Sequence, residues 1–294
     1  MKTFDVGIGW GNPVDKRFVE ELKSKLKNKK ISFKEITFVN IREDFDSIDK
    51  GLLRFRLFIN RSADDYSAFL LLAERLKSRG TKIINDPQNT IHYSSKSFLY
   101  KLYKKEKLPL PKVFILNPRK KSKKIIDKIP RILGVPFVLK PSYGGAGEGI
   151  VLSAKNSKDI LNFLKQNNTD ECLAQEYIIP SVIDGRVAWF RPIFVCGKVI
   201  PMWWNYGNRF YQEFGNSKKE NQIAKILEKY MKKIYRIVGF DLFSAEFAIN
   251  DKGKYFIIDY ANEPIDLNTN EVAPDGLPPA TLEKIVSQIV KSIK

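Results

Sequence analysis

Short apolar runs alternate with amphipathic stretches in the first third of the chain. The runs predict strands, and apolar residues at helical spacing, such as Phe18, Val19, Leu22 and Leu26, predict a helix between them. Alternating strands and helices favour a parallel sheet, so residues 1–92 are predicted to form a small α/β domain. The predicted strands are Phe4–Ile8, Ile31–Val39, Phe55–Asn60 and Lys82–Ile84, and the predicted helices are Lys16–Lys27 and Ser67–Arg79.

The rest of the chain contains patterns that are typical of paired strands. A glycine-rich stretch separates the apolar runs Pro136–Lys140 and Ile150–Leu152, which predicts a strand, a loop and a strand. Farther along, Phe240–Ile249 alternates like a strand, and Asn250–Gly253 has the composition of a hairpin turn. Lys254–Pro264 would then be the returning strand. We predict two lobes here, covering residues 93–178 and 179–294.

Composition limits the classes of protein to consider. The 294 residues are 43% hydrophobic and 29% charged, as in a globular protein with an ample core. No apolar run approaches the roughly 18 residues of a membrane span, and the start of the chain lacks a signal-peptide pattern. We therefore expect a cytoplasmic protein without a membrane partner. Its single histidine, His92, excludes His-rich zinc sites and most imidazole-based catalysis.

The net charge of +18 raises the question of an acidic partner. In Glu20–Lys30 and Lys218–Lys233 the lysines alternate with glutamates, as on solvated helix faces. The one dense basic run is Arg119–Lys124. A positive field would attract an anionic ligand and an acidic co-substrate. Nucleic acid is a less favoured partner that stays open, as does a homo-oligomer.

The glycine-rich loop carries the most chemical information. Lys140 ends a strand and is followed by Gly144, Gly145, Gly147 and Gly149. Glycines let backbone amides approach a phosphate, and a lysine supplies a mobile positive charge for phosphate oxygens. No Gly-Lys-Ser/Thr follows, and a strand rather than a helix comes next, so neither a Walker A motif nor a Rossmann fingerprint is present. The alternative is an ordinary hairpin with a surface lysine.

This loop resembles the phosphate-covering loop of the ATP-grasp superfamily, and further matches follow in the order of that family. Glu176, Tyr177 and Ile178 are similar to the segment that links two lobes and holds adenine through backbone groups. The resemblance implies an α/β protein with an ATP-grasp fold behind an N-terminal parallel-sheet domain.

Four charged residues receive roles from the same resemblance. Asp184 would accept hydrogen bonds from the ribose hydroxyls, and Arg186 would face the transferred phosphate as a catalytic residue together with Lys140. Lys96 would reach the phosphates, although Ser95 stands where an aspartate is usual. The alternatives are a turn aspartate, a solvated strand arginine and one lysine among many in a basic chain.

An acidic group at the end of the resemblance predicts a metal site. Pairing across the predicted hairpin brings Glu246 close to Asp259, and two adjacent carboxylates repel unless a cation lies between them. Oxygen ligands suit Mg²⁺, with Mn²⁺ as an alternative. The family pattern is an acidic residue followed by Glu-x-Asn on the second strand. Here Asp259 replaces the glutamate, and Asn262 comes one residue late because Ala261 occupies the usual position.

The resemblance implies an ATP-dependent carboxylate–amine or carboxylate–thiol ligase that works through an acylphosphate. Its partners would be a small-molecule or peptide carboxylate and an amine acceptor. Substrate candidates are Arg61, at the end of a predicted strand, and Asn205 and Arg209, which follow Trp203-Trp204. Adjacent tryptophans on one strand face opposite sides, so we expect at least one to be exposed or to have another role. Two other functions stay open: a kinase of a sugar or inositol phosphate, and a non-catalytic nucleotide-binding protein with a nucleic-acid surface.

Overall fold

The computed structural model describes residues 1–63, 66–120, 122–145 and 147–293, and the chain folds into two compact units. The first unit comprises Met1–Ile91, Phe190–Ser244 and Ala261–Lys294. The second comprises His92–Trp189 and Ala245–Tyr260. The division into domains 1–92, 93–178 and 179–294 stays a prediction.

The described part of the chain forms strands and α-helices with the following bounds, given in chain order. The strands are β1 Lys2–Gly9, β2 Phe33–Ile36, β3 Leu53–Asn60, β4 Lys82–Ile84, β5 Val113–Leu116, β6 Phe137–Pro141, β7 Val151–Ala154, β8 Cys172–Glu176, β9 Val182–Ile183, β10 Arg186–Val187, β11 Trp189–Phe190, β12 Ile193–Val195, β13 Lys198–Ile200, β14 Met202–Asn205, β15 Phe210–Glu213, β16 Leu242–Ile249 and β17 Tyr255–Asn262. The α-helices are α1 Lys16–Asn28, α2 Ile41–Asp49, α3 Ser67–Ser78, α4 Pro87–Tyr93, α5 Lys96–Lys105, α6 Lys123–Ile126, α7 Ile129–Leu133, α8 Ser157–Gln166, α9 Lys218–Val238 and α10 Pro279–Lys291.

A parallel sheet with strand order β2-β1-β3-β4 forms the amino-terminal part of the first unit. The second halves of the central strands β1 and β3 are buried on both faces, which explains the apolar runs there, whereas the first half of β3 alternates between buried residues and exposed arginines. The predicted second strand is longer than the observed β2. Asn40 accepts a hydrogen bond from the backbone N–H of Thr37 at 2.7 Å, and this local side-chain turn ends the strand after Ile36.

The remainder of the first unit contains antiparallel strands and two long helices. β12 pairs with β13 and with the first residues of β16, while β14 pairs with β15. The longest helix, α9, begins with a capping box in which Ser217 and Glu220 exchange side-chain-to-backbone hydrogen bonds. It ends at Gly239, whose φ of +68° is the left-handed conformation of a helix C-cap.

The second unit contains an antiparallel sheet with strand order β5-β8-β6-β7. One face of this sheet packs against α6, α7 and α8 through a hydrophobic core that includes Phe137, Leu139 and Ala174. Because side chains alternate along a strand, Val138, Lys140 and Gln175 belong to the opposite face. No helix in the described part of the chain is long and apolar enough to cross a membrane.

Candidate nucleotide site

Lys140 is a buried charge on the second face of the sheet in the second unit. Its side chain donates a hydrogen bond to the Ile258 carbonyl at 2.9 Å, and Nζ lies 5.0 Å from the centre of the Tyr260 ring. The residue is 4% exposed. Burial lowers the pKa of Lys140 to about 8, although the nearby Asp259 and Glu246 carboxylates oppose this shift. An ammonium has three donors, and the described residues supply an acceptor for one. Lys140 is therefore a desolvated cation with donors left for a ligand.

Gln175 is a second polar residue on this face, and the sequence interpretation missed it. It pairs with Val138 across the β6–β8 ladder, which places it on the same face as Lys140. Gln175 is 3% exposed, and its Oε1 has no hydrogen-bond partner among the described residues. A buried acceptor without a partner is costly, which makes it a candidate ligand contact. The available signal was a polar residue that continues the buried strand directly after the apolar run Cys172–Ala174.

The glycine loop joins β6 to β7. Gly144, Gly147 and Gly149 have φ angles of +98°, +81° and +67°, which side-chain-bearing residues adopt only with strain. A Cβ added at Gly144 or Gly145 would meet no atom within 4 Å, so packing does not explain these two glycines. The loop has instead the backbone freedom and the absence of side chains that an approach to phosphate requires.

Lys96 and a group of serines hold the base of this loop. Lys96 donates a side-chain hydrogen bond to the Gly144 carbonyl, and its backbone N–H donates to the Ser142 carbonyl at 2.7 Å. Ser95 caps α5, since its Oγ accepts from the Phe98 N–H, and lies 2.9 Å from the Ser142 hydroxyl. The replacement of the family's aspartate by Ser95 is thus compatible with a capped helix. Lys96, the first residue of α5, is thus bonded to the loop through both its side chain and its backbone, and its predicted role toward phosphate stays a prediction.

Two carboxylates complete the polar surroundings of Lys140. Both Asp259 and Glu246 act on the pKa of Lys140, with Asp259 having the larger influence. Glu246 accepts a hydrogen bond from the Trp189 indole N–H at 3.0 Å. Asp259 also contributes to the raised pKa of Tyr103, for which burial is the main cause. The structure therefore brings together Lys140 and the two predicted carboxylate ligands.

Asn262 differs from these two residues. Regular alternation along β17 puts Asp259 and Ala261 on one face and Asn262 on the other. The Asn262 side-chain nitrogen is buried without a partner among the described residues. No cluster of three or more His, Cys, Asp or Glu side chains that could hold a metal occurs in the described ranges. The donor set is thus two carboxylates, which fits Mg²⁺ bound partly by substrate phosphates.

The predicted adenine segment lies at the end of β8. Glu176 is tied to the neighbouring chain, because its backbone N–H donates to the Lys112 carbonyl at 2.9 Å and its carboxylate accepts from the Lys112 N–H. Tyr177 is half-buried, and Ile178 is 8% exposed and packs with Ala248 and Phe256. The segment is anchored at both ends, although its contact with a nucleotide base stays a prediction.

Asp184 and Arg186 lie on a small exposed hairpin formed by β9 and β10. Asp184 and Gly185 form its two-residue turn, with φ angles of +50° and +76°. Both charged residues are exposed. The turn explains the choice of Asp-Gly locally, so the ribose and phosphate roles of Asp184 and Arg186 rest on the resemblance and stay predictions.

Arg191 is a second residue that the sequence interpretation missed. It is half-buried, donates from Nε to the Ser244 hydroxyl at 3.2 Å and lies 4.8 Å from the Trp204 ring. Ser244 is two residues before Glu246 and faces the same side of β16. The available signal was an arginine directly after the short strand β11, in an otherwise apolar stretch.

The predicted substrate residues lie in the first unit, and Arg61 is largely engaged by the protein itself, so its contact with a substrate stays a prediction. Its guanidinium donates from Nε and Nη2 to Asp15 at 3.0 and 2.6 Å, and from Nη2 to the Ile265 carbonyl at 2.8 Å. Arg61 and Asp15 are 5% and 1% exposed. Two nitrogens of Arg61 are thus engaged by a single oxygen of Asp15, Oδ1. Only Nη1 is buried without a partner among the described residues, so Arg61 fits a positioning role better.

The other two substrate candidates are at the tip of the β14–β15 hairpin. The Asn205 side chain accepts hydrogen bonds from the backbone N–H groups of Gly207 and Asn208, at 3.0 and 3.5 Å. Arg209 is exposed with a φ of +56°, which completes the turn. Asn205 therefore has a local structural role, and substrate contacts by both residues stay predictions.

Of the two alternatives expected for the adjacent tryptophans, the structure excludes exposure and leaves another role. Trp203 and Trp204 are 4% and 6% exposed, so neither is at the surface. They occupy opposite faces of β14, and both faces are covered. Trp203 donates to the Glu220 carboxylate at 3.0 Å, whereas Trp204 contacts Tyr211 and the Arg191 guanidinium.

Comparison with known proteins identifies the family. The model of the RimK-like ATP-grasp domain matches residues 94–246, more than half of the chain. The chain belongs to this family. The result confirms the predicted resemblance and the α/β ATP-grasp fold, and it supports the predicted class of enzyme, an ATP-grasp ligase that uses magnesium and ATP.

Solved structures and one curated protein are also similar. The ATP-grasp ligase PsnB, complexed with precursor peptide PsnA2 and AMPPNP, superposes with a TM-score of 0.68 at 14% identity, covering 100% of this chain and 99% of that one. D-alanine–D-alanine ligase from Bacillus anthracis, complexed with ATP, gives 0.66 at 14% identity, covering 98% and 96%. N5-carboxyaminoimidazole ribonucleotide synthase of Staphylococcus aureus (strain MRSA252) is 42% identical over 59 residues, spanning 20% of this chain and 16% of that protein.

Proposed function

We propose that this protein is an ATP-dependent, ADP-forming ligase that joins a carboxylate to an amine, with a thiol as the alternative acceptor. The observation that supports this most is the group around Lys140 in the second unit. A buried cation, the carboxylates of Asp259 and Glu246 and an unpartnered amide oxygen of Gln175 occur together beside a glycine loop. In a RimK-like ATP-grasp domain these polar groups are suited to holding a nucleoside triphosphate.

The chain's own residues supply positioning and charge. Lys140 would donate to phosphate oxygens, and burial strengthens this contact because the site has a low effective dielectric. Lys96, by holding Gly144, would fix the loop that excludes water from the reacting phosphate. Gln175 would accept a hydrogen bond from the nucleotide. Such a reaction depends on orientation and charge neutralisation, which explains how it proceeds without a catalytic histidine.

Glu246 and Asp259 would hold Mg²⁺, which when bound neutralises developing charge on the phosphates. A substrate carboxylate would attack the γ-phosphorus and displace ADP, and an amine would then displace phosphate from the acylphosphate. Arg186 is the proposed residue facing the transferred phosphate, with Arg191 as a second candidate. Asn205 and Arg209 remain the proposed contacts for the acceptor, with Arg61 ordering the loops around it.

The test is ADP release in the presence of Mg²⁺ and a panel of amino acids, dipeptides and longer peptides. Peptides are included because the similar PsnB structure contains a precursor peptide. We expect release to depend on both a carboxylate and an amine. Asp259→Asn should remove turnover, by about a hundredfold or more, while the fold measured by circular dichroism stays unchanged. The matched control is Asp251→Asn, which changes an exposed carboxylate in the turn between β16 and β17.

Three results would contradict the proposal. Release driven by a polyol without an amine would indicate a kinase instead. ATP binding without turnover by any acceptor, together with salt-sensitive RNA or DNA binding, would indicate a non-catalytic protein. Full activity of Asp259→Asn would show that Asp259 does not hold the metal.

A further inference from the structure

A short segment of the second unit carries much of the chain's excess positive charge. Residues 119–131 contain seven lysines and arginines and one aspartate, a net charge of +6 out of +18 for the whole chain. We call residues 119–135 the basic segment. The described basic residues of this segment are all exposed; they are Arg119, Lys120, Lys123, Lys124, Lys128 and Arg131. None of them takes part in an ion pair found between described residues.

The basic segment also exposes aliphatic side chains. Its inner residues Ile126, Ile129 and Leu133 are at most 6% exposed and belong to the core that packs on the sheet. Ile125 and Ile132 are nevertheless 51% and 41% exposed, and Val135 is 61% exposed. The segment thus combines exposed aliphatic groups with cations that have no ion pair in the described part of the chain.

Helix α9 shows what a solvated basic surface looks like in the same protein. It has seven basic and two acidic residues over 21 positions, a net charge of +5. Lys232 pairs with Glu228 at 2.6 Å, one turn away. Its only large apolar side chain at the surface is Tyr235, 36% exposed. The basic segment has more charge in fewer residues, no observed ion pairs and exposed aliphatic groups.

We infer that the basic segment docks an acidic polypeptide whose carboxylates alternate with apolar side chains. Charge complementarity accounts for the unpaired lysines and arginines, and apolar residues of the partner account for Ile125, Ile132 and Val135. Nucleic acid would gain little from the aliphatic groups, and the described part of the segment offers no exposed aromatic side chain for base stacking. A lipid surface needs a longer amphipathic face than helices of four and five residues provide.

The test measures binding of fluorescent probes to the full chain at low and moderate salt. The main probe is a short peptide of glutamates interspersed with leucines. The comparison probes are an all-glutamate peptide, single-stranded RNA and vesicles containing anionic phospholipid. We expect the mixed peptide to bind more tightly than the other three. The triple variant Lys123→Gln, Lys124→Gln, Lys128→Gln should weaken it by at least about fivefold.

Two further variants separate this proposal from general attraction to a basic protein. Lys225→Gln, Lys229→Gln, Arg236→Gln removes the same charge from exposed positions of α9 and should leave binding nearly unchanged. Ile125→Ser with Ile132→Ser should reduce the preference for the mixed peptide over the all-glutamate peptide. Equal weakening by the two charge triples would overturn the proposal, and so would tighter binding of RNA or vesicles that depends on Lys123, Lys124 and Lys128.

Discussion

Lys140 and Arg61 are both buried cations, but their surroundings differ. Arg61 is paired with a buried carboxylate at 2.6 Å and donates to the Ile265 carbonyl, so most of its hydrogen-bonding capacity is used within the protein. Lys140 has one carbonyl acceptor, and burial lowers its pKa to about 8. The first arrangement stabilises the fold, whereas the second destabilises it and keeps donors available. A buried cation therefore indicates a binding site when its own protein leaves it incompletely satisfied.

The largest change in the free energy of unfolding is expected on substitution of Arg61. Arg61→Ala leaves Asp15 buried without its partner, and breaking a buried ion pair in this way costs about 3–5 kcal/mol. Denaturant unfolding measures the loss. Arg209→Ala, at an exposed hairpin turn, is the control and should cost about 0.5 kcal/mol or less. An Arg61→Ala protein as stable as the wild type would mean that the Asp15 pair is not a structural contact.

Substitution of Lys140 should change the free energy of unfolding in the opposite direction. Lys140→Met removes a desolvated charge and is expected to raise stability at pH 7 by about 1–3 kcal/mol, while ATP affinity falls by about 1.5–3 kcal/mol. Because the folded pKa is lowered, the destabilisation by Lys140 is fully present below about pH 8 and disappears as the pH rises toward the unfolded value.

The control for the Lys140→Met variant is Lys105→Met, which alters an exposed lysine at the end of α5. Unfolding and calorimetric titration with ATP measure the two quantities. A Lys140→Met protein that is less stable than the wild type and binds ATP normally would assign Lys140 a structural role.

A smaller effect is expected at Gln175. Gln175→Leu removes a buried acceptor that has no partner, so the protein should keep its stability or gain slightly. Nucleotide affinity should fall by about 0.5–1.5 kcal/mol. Thermal unfolding and ATP titration measure both effects, and Gln175→Glu provides the control because it retains an acceptor. Unchanged ATP affinity in Gln175→Leu would remove this residue from the site.

The smallest effect is expected at Asn205. Its side chain caps a local turn, so Asn205→Ala should cost about 0.5–1 kcal/mol of stability. If forming the turn is the only role of Asn205, the Michaelis constant for the acceptor in the ADP-release assay should be unchanged in Asn205→Ala. A large rise in that constant would restore Asn205 as a substrate contact and would weaken the contrast between the two regions.

The local structure around the proposed nucleotide site could be predicted from the sequence more fully than the surroundings of Arg61, and the roles of both regions stay predictions. The glycine loop, the strand lysine Lys140 and the hairpin carboxylates are encoded by short-range patterns, in which backbone conformation and strand alternation fix side-chain positions. Arg61 meets Asp15 and Ile265 through the tertiary fold, and no local pattern indicates that its guanidinium is already bound. Gln175 is an intermediate case, because its face could be read from alternation but its unpartnered oxygen could not.

Strand and helix boundaries were likewise predicted where a local pattern decides them and missed where a side-chain contact decides them. The apolar periodicity predicted α1 and the strands of the parallel sheet, while the turn at Thr37–Asn40 shortened β2 through a side-chain hydrogen bond. Burial of both tryptophans was missed because it depends on elements that cover both faces of β14. Local signals therefore sufficed for the element order, and long-range packing decided the exceptions.

Proton uptake on ATP binding tests the role of Lys140 most directly. Calorimetry near pH 9 in two buffers of different ionisation enthalpy gives the number of protons taken up. Much of Lys140 is neutral at that pH in the free protein, because its pKa is lowered to about 8. Contact with phosphate favours the charged form. We predict that the wild type takes up a substantial fraction of a proton and that Lys140→Gln, which cannot titrate, takes up almost none. The same proton uptake in both proteins, or none in either, would contradict the account.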